Sequence, residues 1–77
     1  MNEIVNYVDY ICQNYNINAY FIGKAKFGPY KGEIWLFENG FIKIKITFID
    51  FEGKMLIFSQ YKKPFIDKRF EIFKNSN

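Results

Sequence analysis

Hydrophobic and polar positions change period along the chain, and each change marks an element. Between residues 3 and 15, Ile4, Val5, Val8, Ile11, Cys12 and Tyr15 recur at the i, i+1, i+4, i+7, i+8, i+11 spacing of one helical stripe, which predicts an amphipathic α-helix. Tyr7 is expected to flank that stripe and Tyr10 to project to the polar side near Glu3. Asn2 is positioned to cap the start, and Glu3 in the first turn suits the positive end of the helix dipole. Asn14-Tyr15-Asn16 supplies the stop, because asparagine tolerates the left-handed conformation that ends many helices.

From residue 17 to 27 the period drops to two. Ile17, Ala19, Phe21, Ala25 and Phe27 alternate with Asn18, Tyr20, Lys24 and Lys26, the signature of a strand. Gly23 inside it predicts a bulge or a close backbone approach, and Gly28-Pro29 a turn. The next two strands form a hairpin around Asn39-Gly40, since both residues accept positive φ at little cost and a two-residue type I′ turn needs it twice. In that register Phe37 opposes Ile42, Leu36 opposes Lys43 and Trp35 opposes Ile44. Trp35, Phe37, Ile42, Ile44, Ile46 and Phe48 then form the core face. Ile34, Leu36, Phe41 and Ile49 share the outer face with Lys43, Lys45 and Thr47.

Asp50-Phe51-Glu52-Gly53-Lys54 reverses the chain again, through a two-residue turn or a three-residue loop. These alternatives point opposite faces of the strand at residues 55 to 61 toward the core, so its facing stays open. Lys62-Lys63-Pro64 is expected to end the ladder, because proline cannot donate to it. Residues 65 to 74 read either as a strand, favoured by aromatic and β-branched content, or as a helix with Phe65, Ile66, Phe70 and Phe73 on one side; the strand is preferred. The expected architecture is a single α+β domain over residues 1–77. Its N-terminal helix packs on a four- to five-stranded antiparallel meander, with curling into a small barrel as a variant.

Composition limits what such a domain can do. Seventy-seven residues support one modest core, and 49% hydrophobic with 22% aromatic content argues against disorder. The single cysteine cannot form an intrachain disulfide, the first residues lack a basic start, and no apolar run approaches the ~18 residues of a membrane span. A cytoplasmic location is therefore expected. The net charge of +3 hints at an anionic partner, although the excess of Lys, Asn, Ile, Phe and Tyr also matches A- and T-rich codons. Residues 1 to 23 contain Glu3 and Asp9 without a Lys or Arg, so an acidic helix is set beside a basic sheet.

Catalytic chemistry finds few groups to use. Histidine, the commonest general base and metal ligand, is absent. Cys12 falls on the apolar stripe, which predicts an inert buried thiol. Asp50 with Glu52 and Asp67 with Glu71 are the carboxylate pairs that could serve as acid and base or hold a cation, but solvated surface carboxylates are far commoner. Gly28-Pro29-Tyr30-Lys31-Gly32 lacks the context of a phosphate loop and reads as a turn. No enzyme activity, metal or cofactor is expected.

Two binding readings remain. One is docking on a macromolecular protein partner, or on another copy, through Ile34, Leu36, Phe41, Lys43, Lys45 and Thr47, where apolar surface is mixed with cations. Short A/T-biased domains of this kind include phage and mobile-element inhibitors that work by occupying host machinery. The alternative is a single-stranded nucleic-acid module in which lysines meet phosphates and rings stack on bases, using Lys24, Lys26, Tyr30, Lys62 and Lys63 with Tyr20, Phe41 and Tyr61 as further rings. A single arginine, Arg69, weakens that alternative, because arginine dominates base contacts. No motif names a family. The size and the helix-then-meander order are similar to Sm-like barrels, without their motif residues.

Overall fold

A computed structural model describes residues 3–76. The elements are α1 (Glu3–Tyr15), β1 (Asn18–Phe27), β2 (Tyr30–Glu38), β3 (Lys43–Phe51), β4 (Lys54–Ser59), β5 (Lys62–Ile66) and α2 (Arg69–Asn75). All five strands pair antiparallel with their sequence neighbours, in the order β1-β2-β3-β4-β5. The sheet is a meander that curls without closing into a barrel, and both helices lie on one of its faces.

Helix α1 ends where its sequence allows. Asn16 adopts φ 52°, and the Ile17 amide donates back to the Cys12 carbonyl at 3.2 Å, the bond that closes a Schellman cap. The buried stripe, however, is Ile4, Tyr7, Val8 and Ile11. Val5 and Tyr15 are exposed, Cys12 is half-buried, and Tyr7 is the centre of the core at 0% exposure. The rotation of the helix is set by a ring cluster absent from its own sequence. Tyr7 lies 5.1 Å from Phe70 and 6.1 Å from Phe48, both edge-on, and Tyr10 is 5.2 Å from Phe73 rather than on the polar side. The Asn2 cap lies outside the described residues.

The central hairpin differs from expectation in a way that leaves its faces unchanged. Gly40 has the expected positive φ of 93°, but Asn39 does not join it. Its side-chain Oδ1 instead accepts the amides of Phe41 and Ile42, each at 3.0 Å, and residues 39–42 form a four-residue loop. The register slides by two, so Phe37 opposes Ile44, Trp35 opposes Ile46 and Leu36 opposes Lys45. Because side chains alternate with period two, a slip of two keeps Trp35, Phe37, Ile44, Ile46 and Phe48 on the core face. Ile42, expected inside, is exposed in the loop.

At Glu52-Gly53 the two-residue turn is the one adopted, with φ 54° and 85°, and Asp50 Oδ1 accepts the Gly53 amide at 3.1 Å. This turn directs Met55 and Ile57 into the core. The expected end of the ladder at Lys62-Lys63-Pro64 is corrected: the chain reverses at Gln60-Tyr61, and Lys62-Lys63-Pro64 opens β5. Pro64 is tolerated there because β5 is an edge strand. The preferred strand at 65–74 is likewise corrected. Only Phe65 and Ile66 belong to a strand, whereas Phe70 and Phe73 are buried on the inner side of α2. Two rings three apart fall on one side of a helix over the core, whereas in a strand they would point to opposite faces.

Candidate functional site

Most of the residues expected to bind a protein lie on the sheet face that carries no helix. The β1 bulge falls between Phe21 and Gly23, as the glycine suggested. The extra residue slides Tyr20 opposite Leu36 on the helix-free face and turns Ala25 and Phe27 to that face too, correcting the single alternation expected from Ile17 to Phe27. Cross-strand rows then run Tyr20–Leu36–Lys45, Gly23–Ile34–Thr47–Phe58 and Ala25–Gly32–Ile49–Leu56–Ile66.

One end of this face is closed by its own side chains. Tyr30 and Phe51 rings meet at 4.6 Å between adjacent strands, and Phe27 of β1 meets Phe58 of β4 at 5.2 Å, which requires the sheet to curl. Ile49, expected on the outer surface, has the predicted direction but is only 1% exposed. It occupies the space left by Gly32, where a Cβ would fall 2.7 Å from Ile49 Cδ1 and 1.9 Å from the Phe48 carbonyl oxygen.

The other end stays open. Ile34, Leu36 and Thr47 are half-buried, Lys45 is exposed, and Tyr20 in β1 adds an exposed ring. Lys43 stands beside its cross-strand partner Glu38, with Nζ 4.0 Å from the carboxylate. Phe41 sits apart at the loop tip and is 96% exposed. Four of the six residues expected to bind a protein, Ile34, Leu36, Lys45 and Thr47, therefore form adjacent cross-strand pairs; Lys43 extends the patch and Phe41 flanks it. Tyr20 entered the sequence reading only as a ring for nucleic acid. Its place on this face depends on the bulge, for which Gly23 was the available signal.

The residues expected to bind nucleic acid are not brought together. Lys24 and Lys26 turn to the helix-bearing side of edge strand β1, where Lys24 and Lys31 share a cleft of ≈ 370 Å³ with Glu3, Glu33 and Asp50 as well as Ile4, Met55 and Phe70. Lys62 and Lys63 lie in the opposite edge strand. Tyr30 donates its hydroxyl to Glu52 at 2.6 Å, and this bond raises its pKa.

Three of the four carboxylates singled out from the sequence have structural partners. Asp50 and Glu52 serve the turn and Tyr30, and Glu71 is exposed. Asp67 is 4% exposed and accepts from Tyr7 at 2.5 Å and from Arg69 in a fork, Nε at 2.9 Å and Nη2 at 2.8 Å. Burial pushes the Asp67 carboxyl up, but the Arg69 and Tyr7 hydrogen bonds and the guanidinium charge outweigh it and hold the group below its ordinary range. Burial, then the Asp67 bond, pushes Tyr7 far up. The Asp67 bond raises Arg69 against the opposing effect of burial. This clamp ties α1 to the β5–α2 junction. Burial, with the Asp9 charge behind it, raises the Cys12 thiol as well, the opposite of nucleophile activation.

Among the described residues no three His, Cys, Asp or Glu side chains gather as a metal site would require, and no helix is long and apolar enough to cross a membrane. Compared with known proteins, the chain matches no family model, no curated protein and no solved structure.

Proposed function

We propose that this chain is a non-enzymatic binding protein that docks on a protein partner through the open end of its helix-free sheet face and acts, as inhibitors do, by occupying the partner's surface. One observation carries the reading. Both helices pack on the same side of the sheet, so among the described residues no helix or further strand covers the Tyr20–Leu36–Lys45 and Ile34–Thr47 rows. Apolar side chains at the centre with a cation beside them suit a partner surface that is apolar with an acidic margin. Location in the cytoplasm belongs to the same proposal, since the lone thiol asks for no oxidising compartment.

The test is affinity capture from host extract with the unaltered chain and with Lys43→Glu/Lys45→Glu. A protein retained by the former and lost by the latter, with thermal stability unchanged, supports the docking face. Equal retention rejects it. Titration with single-stranded and duplex oligonucleotides at two salt concentrations decides the competing reading. Micromolar or tighter binding that falls steeply with salt would replace the protein partner by nucleic acid.

A further inference from the structure

The helix-bearing face is also incompletely covered, beyond the first residue of α2. Helix α2 sits toward the Gly53 turn, where Lys74 Nζ donates to the Gly53 carbonyl at 2.9 Å and Phe70 and Phe73 close over Tyr7. Beyond Ile11 and Tyr15, a groove of ≈ 510 Å³ runs over Phe37, Ile44, Ile46 and Ile57 to Phe65 on β5. That volume lies within the ~300–1,000 Å³ typical of small-ligand sites.

The rim has one sign of charge. Among the described residues its charged lining is Lys62 and Arg69, with no Asp or Glu. Asp67 offsets the Arg69 charge, so Lys62 supplies the net positive potential. Arg69 supplies donors: three of its five N–H groups are engaged, two by Asp67 and one by the Tyr15 hydroxyl at 3.1 Å, on a side chain that is 45% exposed. Pro64 removes an N–H from edge strand β5, which disfavours a peptide strand adding beside the groove. An apolar floor with cations among its lining residues suits a molecule that is apolar along its length and anionic at one end.

We propose that this groove binds a medium-chain fatty acid or an equivalent unbranched carboxylate, with the chain over Ile44 and Ile46 and the carboxylate at Lys62 and Arg69. The site is independent of the protein-docking face, which lies on the other side of the sheet.

The test is titration of the whole chain with decanoate, decanol and decylammonium, followed by amide chemical-shift mapping. Decanoate is expected to bind about tenfold more tightly than decylammonium, with shifts at Ile44, Ile46 and Phe65. Lys62→Glu is expected to weaken decanoate about tenfold while leaving decanol within about twofold. Absence of binding, equal affinity for the anionic and cationic amphiphiles, or shifts mapping to Leu36 and Thr47 would each overturn the proposal. The three-ligand comparison on the unaltered chain decides this even if the Lys62 variant folds poorly.

Discussion

The Tyr7 hydroxyl donates to Asp67 Oδ2 at 2.5 Å, joining the first helix to a carboxylate 60 positions further along the chain. Asp67 is held at the same time by the Arg69 fork, so one buried carboxylate ties α1 to the entry of α2. Tyr7→Phe keeps the ring contacts with Phe48 and Phe70 and removes only the donor. The expected loss is about 1–2 kcal/mol, read as a lower urea midpoint with an unchanged denaturant slope. An unchanged midpoint would mean that the hydroxyl contributes nothing net.

The same carboxylate predicts the direction of acid sensitivity. Folding holds Asp67 below its ordinary range, so on acidification the unfolded chain takes up this proton first. Its contribution is complete above the ordinary carboxylate pKa of about 4 and is lost as pH falls through the lower folded value. Thermal unfolding followed below about pH 4 should show a steep loss of stability. Asp67→Asn should be less stable at neutral pH and flatter over the acid range; a parallel profile would assign the acid loss to other groups.

Gly32 marks where the sheet curls on itself. An alanine Cβ would sit 1.9 Å from the Phe48 carbonyl oxygen, a backbone atom that moves only if the strands separate. Gly32→Ala is expected to cost about 3 kcal/mol. In the same variant, amide hydrogen exchange should rise around Phe48 and Ile49. Near-native stability would show that the curl relaxes cheaply.

The loop at 39–42 separates stability from exposure within neighbouring residues. Asn39→Ala removes the acceptor for two amides and should cost about 1 kcal/mol. Phe41→Ser, at a side chain 96% exposed, should change stability by no more than about 0.5 kcal/mol. Urea denaturation of the two variants checks both, and a large loss from Phe41→Ser would place its ring in a packed environment.

What was legible before the structure was local or periodic. The Asn16 stop, the bulge beside Gly23 and the Gly28-Pro29 turn are set by residues within a few positions of one another. The core side of the central hairpin survived a mistaken turn because the error in register was two residues, and period two repeats after two. Ile42 was misplaced because the Asn39 side chain offered its neighbours' amides an acceptor that a backbone-only turn does not supply. The proposed docking patch is partly legible for the same periodic reason, whereas the burial of Ile49 is not, since it depends on the absent side chain of Gly32 in another strand.

The sequence by itself determined an N-terminal helix, strands of alternating character and most of the turns between them, because these depend on backbone preference and side-chain period over a few residues. The tertiary structure alone decided that Tyr7 rather than Val5 or Tyr15 faces inward, that residues 69–75 are helical, and that both helices share one side of the sheet. Those outcomes depend on Tyr7, Phe70, Phe73, Asp67 and Arg69 meeting across the length of the chain. Contacts between distant residues gain their free energy only once the whole core is assembled, so no short window of the sequence contains them.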